Sequence, residues 1–120
     1  MSERILSLAL VLGLGLGLGA CIAPTQPPPG ATGKEIFELQ LCSNCHGKAG
    51  IGGSRGPALR GLTDHWTEVS LARFLADVES FERDDTRVRA LASAYSGDMR
   101  SYANLNEDER IQLARYLLAL

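Results

Sequence analysis

Two cysteines three positions apart with a histidine directly after them, Cys42-Ser43-Asn44-Cys45-His46, constrain this chain more than any other stretch. The pattern is that of c-type haem attachment. Its spacing has a chemical reason. On one helical turn the two thiols can each reach a different vinyl group of one porphyrin, and His46 is carried beneath the iron, where an imidazole nitrogen binds. Two other chemistries use paired cysteines. A redox dithiol is expected beside a βαβ pattern, and none is visible. A tetrahedral zinc site needs a fourth protein ligand, but the only other histidine is His65 and the only other cysteine is Cys21.

A chain of 120 residues suggests one domain. An all-protein core of that size is marginal, so a large apolar cofactor at its centre would add much of the missing burial. The net charge of −2 offers no basic patch for nucleic acid. The three cysteines do not form a disulfide framework: two belong to the haem pattern, and Cys21 stands apart.

Residues 1–20 read as an export signal. Arg4 supplies positive charge, offset by Glu3, and residues 5–18 form an apolar core too short for a comfortable membrane span. Glycine alternates with leucine through residues 12–19, which weakens a permanent helix further. The end of this stretch, Leu18-Gly19-Ala20-Cys21, resembles a bacterial lipobox, in which the cysteine is lipidated and becomes the new N-terminus. Several acyl chains, at about 0.8 kcal/mol per buried CH₂, would hold the protein on a membrane. A signal peptide cut nearby, leaving a spare thiol, is the plainer alternative. Ile22 after the cysteine resembles the outer-membrane sorting signal of lipoproteins rather than inner-membrane retention. Residues 21–31, with Pro24, Pro27, Pro28, Pro29 and Gly30, read as an extended tether with a reach of roughly 30 Å.

The domain is expected over residues 32–120. Thr32 with Glu35 fits a capping box, starting a helix that should run on into the haem motif with Ile36, Phe37, Leu39 and Leu41 as its apolar residues. A glycine-rich loop follows His46. Within it, Gly56-Pro57-Ala58-Leu59 brings a proline carbonyl that could accept the other ring N–H of His46; a plain rigid turn is the competing reading. Thr67 caps a second helix with Leu71, Phe74, Leu75 and Val78 as its stripe. Residues 80–83 read as a short connection. Asp84 or Asp85 caps a third helix through about Tyr95, with Val88, Leu91 and Ala92 on its apolar face and Gly97 at its exit.

Met99 then falls in a loop, not on a helix stripe. A thioether is a soft ligand, and a Met/His pair on haem iron raises the reduction potential. His65 is the rival ligand, and bis-histidine coordination would lower the potential. Asn106 caps a last helix whose first turn carries Glu107, Asp108 and Glu109; Leu113, Tyr116, Leu117 and Leu120 form its stripe. The first helix is its expected partner, with Gly33 permitting close crossing and Phe37 meeting Tyr116.

Taken in order, Gly33, Phe37, Cys42, Cys45, His46, Gly56-Pro57-Ala58-Leu59, Gly61-Leu62, Met99, Tyr116 and Leu117 resemble the small monohaem class I cytochromes c over residues 32–120. The resemblance implies an all-α fold of about four helices around one covalent haem c, with N- and C-terminal helices crossing. It implies thioethers at Cys42 and Cys45, His46 and Met99 as the axial iron ligands, and a Pro57 carbonyl turned to His46. Arg100 stands where many relatives have proline, which leaves the methionine loop without that brace. Arg100 and the Trp66 indole are candidates for haem-propionate contacts, Arg100 also for a partner carboxylate.

The implied function is a one-electron carrier and not an enzyme. It would be tethered at the periplasmic side of a bacterial membrane, the outer membrane favoured, and dock with redox protein partners as a monomer or complex subunit. A fixed haem subunit of a dehydrogenase or oxidase uses the same chemistry. A redox or gas sensor in which Met99 dissociates is a different class.

Overall fold

The computed structural model describes residues 25–120. The expected signal peptide and the lipidation cysteine, Cys21, lie outside the described residues. The described chain contains six α-helices: α1 (Gly33–Leu39), α2 (Ser43–His46), α3 (Glu68–Ala76), α4 (Val78–Asp84), α5 (Thr86–Ala94) and α6 (Glu107–Leu118). The all-α expectation holds; the helices are shorter and more numerous than the sequence pattern suggests.

The capping box of α1 closes in both directions. The Glu35 N–H donates to Thr32 Oγ1 at 3.3 Å, and the Thr32 N–H donates to the Glu35 carboxylate at 2.7 Å. The helix does not continue into the haem motif, contrary to expectation. Leu41 takes a left-handed backbone, φ 57°, and the N–H groups of Leu41 and Cys42 return to the carbonyls of Glu38 and Phe37 at 3.1 and 3.2 Å. This is the Schellman ending, normally built on glycine. With leucine there, the turn costs about 1–2 kcal/mol. It frees Cys42 to start a separate turn, α2, in a new direction.

Two further differences have local causes. The expected connection over residues 80–83 is helical. Asp77 breaks the chain after α3 and caps α4, accepting from the Ser80 N–H at 3.2 Å and the Ser80 hydroxyl at 2.6 Å. Phe81 then anchors α4 against Phe74 and Trp66, with ring centroids 5.6 and 5.8 Å away. Of the two candidate caps for α5, Asp85 is the one used, accepting from the Arg87 and Val88 N–H groups. Leu120 falls beyond the end of α6, yet still packs on the core.

The core forms where α1 and α3 meet α6, around Ile36, Leu75 and Leu113, each at most 2% exposed. A β-carbon on Gly33 would lie 2.2 Å from the Gln112 carbonyl oxygen, so only glycine permits the α1–α6 crossing. Phe37 meets Tyr116 edge-on at 5.5 Å, as the pattern suggested.

The proline-rich segment is not a free spacer over the length expected. Pro27 and Ala31 are buried. The Gln40 amide donates to the Thr25 carbonyl at 2.6 Å, and the Gln26 amide donates to the Asn104 carbonyl at 3.0 Å. Extended backbone of this kind makes few internal hydrogen bonds, and the Gln40 side-chain amide supplies a partner for one of its carbonyls.

Candidate haem site

A cavity of about 750 Å³ lies between α2, the glycine-rich loop, α3, α5, the methionine loop and α6. That is within the roughly 300–1,000 Å³ of cofactor-sized pockets. Leu59, Leu71, Phe74, Leu75, Leu113 and Leu117 give it apolar walls.

One side is built by α2. Hydrogen bonds from the His46 N–H to the Cys42 carbonyl, 3.0 Å, and from the Gly47 N–H to the Ser43 carbonyl, 2.9 Å, wind the motif into one turn. Cys42, Cys45 and His46 all line the cavity. The following loop folds back: the Gly52 N–H donates to the His46 carbonyl at 2.6 Å and the Leu59 N–H to the Gly50 carbonyl at 2.8 Å. This brings the Pro57 carbonyl to 2.9 Å from His46 Nδ1. A carbonyl only accepts, so Nδ1 carries the proton and Nε2 keeps its lone pair for a metal. The approach needs Gly56, since a β-carbon there would stand 3.0 Å from the Cys45 carbonyl oxygen and 3.3 Å from Nδ1.

Met99 lines the cavity from the loop after α5, half-buried and packed against the core. That loop is tied at several points. The Ser96 and Gly97 N–H groups each donate to the carbonyls of Ser54 and Arg55 at 3.1 Å. The Val78 N–H donates to Ser101 Oγ at 2.8 Å, and the Tyr102 N–H to the Leu75 carbonyl at 2.7 Å. Arg100, which stands in place of the expected proline, is itself a brace. Its guanidinium donates to Gln40 Oε1 at 3.2 Å and lies 4.5 Å over the Tyr102 ring. His65 also reaches the cavity, but from an exposed position at its rim.

Trp66 lines the cavity within an aromatic cluster, 5.0 Å from Phe74, and the Arg87 guanidinium lies 4.9 Å over its indole. Arg55, Arg60, Arg87 and Arg100 line the cavity against Asp64, Glu82 and Asp98. An apolar interior with guanidinium groups at its margin fits a flat apolar macrocycle that carries carboxylates.

The thiol chemistry fits as well. Cys42 and Cys45 are not bonded to each other. Burial pushes the Cys42 thiol up to about 11, and burial lifts the neighbouring Tyr102 phenol to about 12. A redox dithiol works through a lowered thiol, so Cys42 is poorly suited to that role. Among the described residues no three His, Cys, Asp or Glu side chains gather as a metal-binding group.

The cytochrome c family profile matches residues 30–120. The chain belongs to the cytochrome c family. No curated protein matches it, and neither does any solved structure. The cofactor of this cytochrome c is covalently attached haem c, and the domain is that of a haem-based electron carrier. Sequence reasoning missed Gln40, Tyr102 and Arg87 at this site. Gln40 sits at a helix end and Tyr102 three residues past Met99, but nothing in their spacing announces a shared contact. The stacking of Arg87 on Trp66 joins residues from separate elements and leaves no linear signal.

Proposed function

We propose that this cytochrome c is a class I monohaem, membrane-tethered one-electron carrier, in which Cys42 and Cys45 would form the thioethers and His46 and Met99 would hold the iron. One observation carries the reading: His46, oriented by Pro57, and Met99, held in a braced loop, line one cavity from different elements. Met99 is preferred to His65 because it is packed on the core while His65 is exposed.

Bound in this cavity, haem supplies a reversible one-electron iron couple. The chain's own groups set the conditions. The Pro57 carbonyl holds the Nδ1 proton and makes His46 a better donor. The thioether of Met99, a soft ligand, favours the reduced metal. The leucine and phenylalanine walls keep water out, which limits reorganisation as charge changes. Were His46 and Met99 both to hold the iron, no place would remain for a substrate, and the task would be docking and electron exchange with redox protein partners. The protein would act as a monomer or as a complex subunit. Lipidation of Cys21 would confine it to the periplasmic face of a membrane, the outer one favoured by Ile22, and raise its effective concentration near partners there.

Optical and magnetic spectra of both oxidation states test the ligand set. Met99→Ala should abolish the far-red sulfur-to-iron band of the ferric protein, and His65→Ala should leave it in place. The reverse pattern would transfer the ligand role to His65.

A further inference from the structure

Gln40 is the one buried polar side chain among the described residues, 4% exposed, and both polar atoms of its amide are hydrogen-bonded. Its Nε2 donates to the Thr25 carbonyl at 2.6 Å. Its Oε1 accepts from Arg100 Nη2 at 3.2 Å and from Asn104 Nδ2 at 3.1 Å. The Asn104 carbonyl in turn accepts from Gln26 Nε2 at 3.0 Å, which closes a circuit between the N-terminal segment and the methionine loop. Gln40 is also the C-cap of α1, directly before Leu41 at φ 57° and Cys42. One amide thus connects the N-terminal segment, the start of the haem motif and the residue that follows Met99.

We propose that Gln40 is the positioning residue of the methionine loop, and that residues 25–31 are a strap that keeps Gln40 engaged. The inference deepens the His46/Met99 reading and rests on it for its effect on the iron. Buried amides are held in one orientation by the partners they satisfy. With Thr25 in place, Nε2 is committed to the strap and Oε1 must face Arg100 and Asn104. With the strap released, the amide gains water as a partner, and Arg100 loses the acceptor that aims it across Tyr102. The sulfur of Met99, one residue away, then swings with its loop. The strap is also the end of the chain nearest the proposed lipid anchor, so a pull on the tether would be felt at the sixth ligand.

The experiment uses the full-length haem-loaded protein with two perturbations. Gln40→Met keeps the shape and removes the amide. Replacement of residues 25–28 by Gly-Ser-Gly-Ser keeps the length and undocks the strap; the only buried residue in the replaced stretch is Pro27, so it carries the test should Gln40→Met not load haem. Two rates are read: displacement of the native sixth ligand by imidazole in the ferric protein, and hydrogen exchange of the amides of residues 99–104. Both should rise at least about tenfold, since Gln40→Met removes three hydrogen bonds, one of them to a charged group, and the strap replacement lets the amide turn away from that group, while α3 exchanges as before. Unchanged rates, or an equal rise throughout the domain, would overturn the proposal. The two readings fail separately. If Met99→Ala keeps the far-red band, methionine ligation falls, and hydrogen exchange alone decides the strap.

Discussion

Replacing Gly33 with alanine puts the α1–α6 crossing to a quantitative test. Helix propensity favours the change by up to about 1 kcal/mol, since glycine costs an α-helix conformational entropy. Sterics oppose it. The new methyl would sit 2.2 Å from the Gln112 carbonyl oxygen and 2.6 Å from Tyr116 Cβ, and neither can rotate away because one is backbone and the other is fixed to it. The helices must therefore part by about 1 Å, and a gap of that size forfeits a quarter to a half of the dispersion energy along the seam. Overpacking of this kind costs about 1–3 kcal/mol. The Phe37–Tyr116 edge contact on the same seam contributes about 0.5–1.5 kcal/mol more. The net expectation is a loss of about 2 kcal/mol. Urea unfolding of the haem-loaded protein, followed by far-UV circular dichroism, reads it as a lower midpoint at unchanged slope. Phe37→Leu should then cost less in the Gly33→Ala background than alone, because the ring contact is already loosened. A midpoint equal to or above that of the unmodified protein would mean that propensity decides and that the crossing is not tight.

Gly56→Ala should disturb the ring of His46 through the contact at 3.3 Å, shifting the reduction potential and costing about 1–2 kcal/mol; an unaltered potentiometric titration would remove Pro57 from the control of His46. Tyr102 predicts alkaline lability. Burial raises its phenol from an ordinary value of 10 to about 12, so its contribution is complete below pH 10 and is lost as pH climbs towards 12, where the unfolded chain sheds the proton first. Haem attachment through Cys42, as proposed, would turn its thiol into a neutral thioether and leave that burial in place. Tyr102→Phe should flatten the unfolding midpoint between pH 10 and 12, and an equally steep decline would assign it to another group. Cys21→Ser should release a soluble protein that still carries haem; if it stays with the membrane fraction, a lipid on Cys21 is not the anchor.

The elements that could be read from the sequence are those whose cause is local. Thr32 with Glu35, and Asn106 with Glu109, close their capping boxes within four residues, and both helices start where the pattern puts them. The crossing was legible too, because Gly33 inside a first turn has no benefit to its own helix and so points to a neighbour. The break between α1 and α2 was not. Its turn places Leu41 in a conformation that glycine normally takes, and the reward for that strain is the redirected Cys42, a tertiary effect. Residues 80–83 failed for a different reason. Asp77 ends one helix and caps the next within a single residue, so two helices share a boundary too short for any loop composition to mark it.

The site divides along the same line, and the division bears on how the methionine loop is held. Cys42, Cys45 and His46 are one helical turn, so their spacing alone specifies them. Met99 could be singled out because a thioether in a loop beside a haem motif has few structural uses. Its support could not, because each brace comes from far away in the chain: Ser54 and Arg55 in front, Leu75 and Val78 behind, Gln40 and Thr25 to the side. A proline after the methionine would stiffen the loop from within, by fixing one backbone angle. Arg100 stiffens it from without, and only while Gln40 and Tyr102 keep their places. An internal brace persists in any fold, whereas an external one fails when its partners move. On this proposal the hold on Met99 depends on the docking of residues 25–31, and with Met99 on the iron as proposed, a carrier built this way would couple the state of its own N-terminal segment to the metal.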